Sequence, residues 1–155
     1  MYTGAKFRTL HTSGRVILGT ELLAYRNVFR IILFTWYGDA SPTVSSIIDN
    51  IGGMGYWNGP FHRYSKDVSA AVSYYAPYKV HFDKRFIVDA QDVGNDYAPN
   101  QRLFKWSTRI PSNVSRDETT GIPIRGNTFL LFISDSGAVP NPTVEGVIRT
   151  TFVDY

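Results

Sequence analysis

The side chains best suited to chemistry in this chain are scattered. His11, His62 and His81 stand in unrelated segments, without the spacing of a zinc site or a hydrolase motif. There is no cysteine, so thiolate nucleophiles, disulfides and thiolate metal sites are excluded. Asp83 and Asp89 share a strand face but lie roughly 20 Å apart by strand rise, too far to work as an acid/base pair. Gly53 and Gly55 give a G-x-G spacing, yet Asn58, Gly59 and Pro60 stop the helix that a dinucleotide site needs. No nucleophile-elbow or phosphate-loop pattern occurs, and Asn113–Ser115 is a formal glycosylation sequon without a secretion signal. No catalytic centre, cofactor site or metal site is expected, and the chain reads as a non-enzyme.

What the sequence offers instead is a patterned surface. In "VHFDKRFIVDA", residues 80–90, Val80, Phe82, Phe86 and Val88 share one parity, with Lys84 intruding among them. His81, Asp83, Arg85, Ile87 and Asp89 share the other. This alternation predicts a half-buried strand. Its second face, with charges of alternating sign, suits a contact with another surface.

The elements that would carry such a surface are short strands separated by Gly, Pro, Asn and Asp clusters, the pattern of a sandwich or barrel. Eight strands are predicted, over 6–10, 16–23, 27–37, 68–75, 78–89, 103–110, 128–134 and 144–153. One short helix is expected in "SPTVSSIIDN", with Ser41 as cap, Pro42 in the first position, and Val44, Ile47 and Ile48 on one side. The strand over 27–37 is apolar on both faces. Its outer face needs a cover, from a neighbouring subunit or from the chain's own long loop, 52–67. That loop holds Tyr56 and Trp57, which suit a subunit contact, and Phe61 beside them. In an alternative reading they form an aromatic platform for a carbohydrate or other ligand on a non-viral binding module.

At 155 residues, 43% hydrophobic and 19% charged, the chain is expected to form one domain over 1–155. No apolar run is long enough to span a membrane. Ten Tyr, ten Phe and three Trp supply contact-forming side chains in abundance. The net charge of +3 is uneven. Lys6, Arg8, Arg15, Arg26 and Arg30 face Glu21 alone in the first thirty residues, while the remainder is slightly acidic. A basic N-terminal segment on a near-neutral body points to a polyanion.

Taken in order, "RNVFRIILFTWYGDASPTVSSIID", "YKVHFDKRFIVD", "IPIRGNTFLLFISDSG" and "VEGVIRTTFVDY" resemble successive passages of the capsid (coat) proteins of circular Rep-encoding single-stranded DNA viruses, the circovirus-like group. The resemblance covers roughly residues 26–155. It implies an all-β fold: a single jelly-roll β-sandwich of two four-stranded antiparallel sheets with one short helix in a loop. It also implies self-assembly of about sixty copies into a small icosahedral shell around a circular single-stranded DNA genome, RNA not being excluded. The expected location is the virion, and the host nucleus during assembly; the host-cell receptor is unknown. On this reading His81, Asp83, Arg85, Asp89, Tyr56 and Trp57 lie at subunit contacts. Lys6, Arg8, Arg15, Arg26 and Arg30 would meet phosphates, with residues 1–15 the remnant of a basic arm. One departure from the family is that this stretch lacks the arginine-rich run usual there.

Overall fold

The structure, a computed structural model, describes residues 6–20, 26–38, 41–49, 60, 64, 77–89, 91–93, 96–98, 101–116, 123–135 and 142–154. Nine strands and one helical turn follow in the order β1 (Lys6–Gly19), β2 (Arg26–Trp36), α1 (Val44–Ile47), β3 (Tyr78–Asp89), β4 (Gln91–Val93), β5 (Asp96–Ala98), β6 (Gln101–Arg116), β7 (Pro123–Arg125), β8 (Asn127–Ser134) and β9 (Thr143–Asp154). They form two antiparallel sheets, ordered β7-β6-β1-β9 and β3-β2-β8, and a small β4-β5 ribbon. The expected all-β architecture with one short helix is present. The second sheet has three strands among the described residues, where four were expected. The predicted strand over 68–75 lies outside the described residues.

β1 runs unbroken through "HTSG", where the sequence predicts a break between two strands. Gly14 is tolerated because it lies opposite Trp106 of β6, whose indole occupies the space a Cβ would need. The register of β1 shifts between Thr9 and His11 against both neighbours, and the buried parity changes with it, from Thr9 to Thr12, Val16 and Leu18. Pro111 falls at this irregularity in β6. It cannot donate to a regular ladder, so an interrupted one is where it is tolerated.

Between the sheets lie Val16 and Leu18 of β1, Phe29, Ile31 and Leu33 of β2, Val88 of β3, and Trp106 and Ile110 of β6. Phe82, Phe86 and Phe104 pack against them, the last two with centroids 4.9 Å apart. Burying each such side chain stabilises by about 1.5–3 kcal/mol.

β2 is buried on both faces, as its sequence required, and the chain covers itself. Ile32, Phe34 and Trp36 on the outer face meet Ile47, Ile48 and Tyr64, with a bridge between Ile48 and Tyr64. α1 is capped two residues later than predicted. The Thr43 amide donates to the Ser46 hydroxyl at 3.2 Å, and the two hydroxyls lie 2.9 Å apart. Ile47 is thereby buried, while Val44 points to solvent rather than joining Ile47 and Ile48.

Candidate polyanion interface

Because Val16 and Leu18 point between the sheets, Arg15 and Ile17 must point away from them. The same parity applied through the register gives the outer face of the four-stranded sheet. Reading from β9 through β1 to β6, its rows are Glu145–Ile17–Leu103, Val147–Arg15–Lys105, Arg149–Ser13–Ser107 and Thr151–His11–Arg109. Beyond the irregularity, Val153–Arg8–Asn113 and Lys6–Ser115 continue it. Lys6, Arg8, Arg15, Lys105, Arg109 and Arg149 are all exposed on this one surface. Among the described residues Glu145 is the one acid there, and no carboxylate lies within ion-pair distance of any of these cations.

Arg15 and Lys105 face each other directly across neighbouring strands, an arrangement of like charges that destabilises a sheet when no anion lies between them. Around them Ser13, Gly14, Arg15, Lys105, Trp106, Val147 and Arg149 line an open cleft of about 470 Å³. His11 joins the same face, with Nε2 2.9 Å from the Ser107 hydroxyl. Cations at strand spacing, with hydroxyls between them and little acid, suit the charged oxygens of a phosphate backbone and carry no base-reading geometry.

The structure brings Lys6, Arg8 and Arg15 together and removes two expected partners. Arg30 is 2% exposed. Its Nε and Nη2 donate to the Asp83 carboxylate at 2.9 and 2.6 Å, and its guanidinium lies 5.1 Å from the centre of the Tyr64 ring. It cannot reach a phosphate outside the fold. Arg26 sits on the other sheet, 3.8 Å from Asp89, with both side chains exposed. Lys105, Arg109 and Arg149 were missed because charge was counted along the chain, not across the register. The available signal was the period-two placement of Lys105, Ser107 and Arg109, and of Glu145, Val147, Arg149 and Thr151.

The expected subunit-contact residues are also redistributed. Asp83 accepts from Arg30 and, at 2.6 Å, from the Tyr64 hydroxyl. The Arg85 Nε donates to the Pro60 carbonyl at 2.9 Å. At Asp83 and Arg85 the charged face of β3 is thus met by the chain's own residues, although Arg85 stays exposed. His81 leaves that face altogether. An irregularity against β2 pairs Leu33 with Phe82 and Phe34 with Val80, which turns Val80 outward and sets His81 Nε2 2.8 Å from the Thr35 hydroxyl. Lys84, on the apolar parity, reaches solvent, β3 being an edge strand among the described residues. Asp89 stays exposed beside Arg26. Tyr56 and Trp57 lie outside the described residues.

This local chemistry shifts several titrations. Burial pushes the Asp83 carboxyl up, but the hydrogen bonds from Arg30 and Tyr64 and the charges of Arg30 and Arg85 outweigh it and hold the group below its ordinary range. The Asp83 hydrogen bond raises Arg30. Burial and Asp83 push the Tyr64 phenol up to about 12. Burial, then the charge of Lys79, lowers His81. Among the described residues no cluster of three or more His, Cys, Asp or Glu could hold a metal.

No protein-family model matches the chain, and no curated protein is significantly similar to it.

Proposed function

We propose that this chain is a shell-forming coat protein of the circovirus-like kind, a jelly roll in which the outer face of the four-stranded sheet holds a single-stranded nucleic acid by its phosphates. The observation that carries the reading is the segregation of charge: Lys6, Arg8, Arg15, Lys105, Arg109 and Arg149 on one open face with Glu145 the one acid among the described residues. Two pairings support the rolled-up topology, since β1 pairs with β9 and β2 with β8, the nesting that a folded-over hairpin produces. The order of the four sequence passages supports the family.

The test combines electron microscopy of the purified protein with binding of single-stranded oligonucleotides at increasing salt. Closed shells near 20 nm, roughly the size sixty such domains would build, are expected. Contacts to about six phosphates give a slope of about −4 in log affinity against log salt. Replacing Arg15, Lys105 and Arg109 together by Ala lowers that slope by about 2, whatever the oligonucleotide sequence. An unchanged slope would refute the assignment of this face.

A further inference from the structure

Among the described residues His11 is the one histidine on the basic face; His81 lies on the other sheet beside Thr35. His11 is half-buried on β1, between β9 and β6, in the row Thr151–His11–Arg109. Its charged neighbours are cations. Arg109 of β6 stands directly opposite, Arg149 of β9 lies on the diagonal through its pairing with Ser13, and Arg8 follows on β1 past the irregularity. Thr151 of β9 is its other direct partner, and the Ser107 hydroxyl of β6 is 2.9 Å from His11 Nε2. Glu145, the one acid on this face among the described residues, stands at the far end of the rows, beside Ile17.

We propose that His11, Ser107 and Arg109 form a phosphate subsite within that face, filled only when the His11 ring is protonated, so that nucleic-acid binding takes up a proton. The inference rests on the polyanion reading of the face and adds its regulation. Two effects act together at this place. A phosphate oxygen held by Arg109 gives the imidazolium a partner of opposite sign, which no carboxylate supplies there, and so favours the charged ring over the neutral one. The Ser107 hydroxyl contributes the second effect. When the neutral ring carries its proton on Nδ1, Nε2 accepts the Ser107 O–H. The imidazolium can only donate, so the hydroxyl accepts from it and its own hydrogen is free for a phosphate oxygen. Protonation therefore adds a charge and a donor at once. Histidine is the side chain that changes charge between pH 5 and 8, so acid tightens the hold on the nucleic acid and a rise in pH loosens it. Arginine keeps its charge throughout, and the contacts of Arg8, Arg15 and Arg149 do not follow pH.

The test titrates the full chain with a single-stranded oligothymidylate at about pH 8 and about pH 5.5, each over a range of salt. From the higher pH to the lower, affinity should rise about tenfold, and the slope of log affinity against log salt should steepen by about 0.9, one more phosphate being neutralised. Calorimetry near pH 6.5, in buffers of different ionisation enthalpy, should count an uptake of roughly half a proton per bound subunit. His11→Gln should lose the proton uptake and the change of slope together. His11→Arg, which carries a fixed charge at the same place, should show the steeper slope at both pH values and take up no proton. Thermal unfolding at both pH values checks that each variant is folded. Salt-dependent binding without proton uptake, or a folded His11→Gln that follows pH as the parent does, would overturn the subsite and leave the basic face standing. An oligonucleotide that binds at neither pH would remove the polyanion reading and this proposal with it.

Discussion

Arg30 and Arg85 stand directly opposite each other on β2 and β3, and Asp83 lies on the diagonal between them. Opposed like charges destabilise a strand pair. Asp83 resolves the conflict by taking the Arg30 guanidinium through two hydrogen bonds, at 2.9 and 2.6 Å, while Arg85 turns to the Pro60 carbonyl. The pair is thus a structural clamp on the covered side of the sheet, completed by the Tyr64 hydroxyl.

Removing half of that clamp strands a charge. Asp83→Ala should cost about 3 kcal/mol in urea unfolding, as for the loss of one partner of a buried pair. Replacing both, Arg30→Met with Asp83→Leu, should recover most of the loss, because no uncompensated charge remains. A double variant as unstable as the single would show that the ion pair itself holds the cover in place.

The titration shifts set a window of stability. His81 and Asp83 have lowered values in the fold, so their contributions are present above the ordinary 6.5 and 3.8 and are lost as the pH falls through the folded values. Tyr64 is raised from 10.0 to about 12, so its contribution is complete below pH 10 and is lost as the pH climbs through about 12. Unfolding free energy against pH should therefore be highest between about 7 and 10 and fall on both sides. In His81→Gln the first decline, below 6.5, should disappear.

Arg26 provides a contrast with the basic face. Its contact with Asp89 is 3.8 Å long and exposed on both sides. Arg26→Ala should change stability by less than about 0.5 kcal/mol. It should also leave the salt dependence of oligonucleotide binding untouched. A fall in that slope comparable to the loss of Arg15 would place Arg26 on the binding surface after all.

Two glycines are fixed by their surroundings. Gly126 has φ of 79°, and a Cβ there would run into the Asn113 carbonyl. Gly126→Ala should cost about 1–3 kcal/mol in thermal or urea unfolding. Gly14→Ala should displace the Trp106 ring from its seat, lowering stability by about 1–3 kcal/mol and shifting tryptophan emission to the red. Unchanged emission would mean that the ring has room to spare.

The sequence carried the element types well, and the reasons are local. Period two in β3 and the doubly apolar β2 are direct consequences of side chains pointing alternately. What it did not carry depends on pairing. The parity change at His81 exists only because β2 and β3 go out of register there. Whether Arg30 or Arg15 meets solvent depends on which strand and cover lie beside it, and no count of charge along the chain distinguishes them. The same holds for Lys105, Arg109 and Arg149, distant in sequence from Arg15 and on the same face of its sheet.

The nested pairing also governs how the chain is made. β1 must wait for β6, and Gln101 follows Gly19 by 82 residues. At ribosomal rates of about 5–20 residues per second this leaves β1 unpaired for roughly 4–16 s, and β2 awaits β8 still longer. During that interval the inner apolar face of β2 is without Trp106 and Ile110 of β6 on a growing polypeptide. Yield of soluble protein should therefore respond to slower synthesis at low temperature and to co-expressed chaperones, more strongly than its final stability alone would suggest.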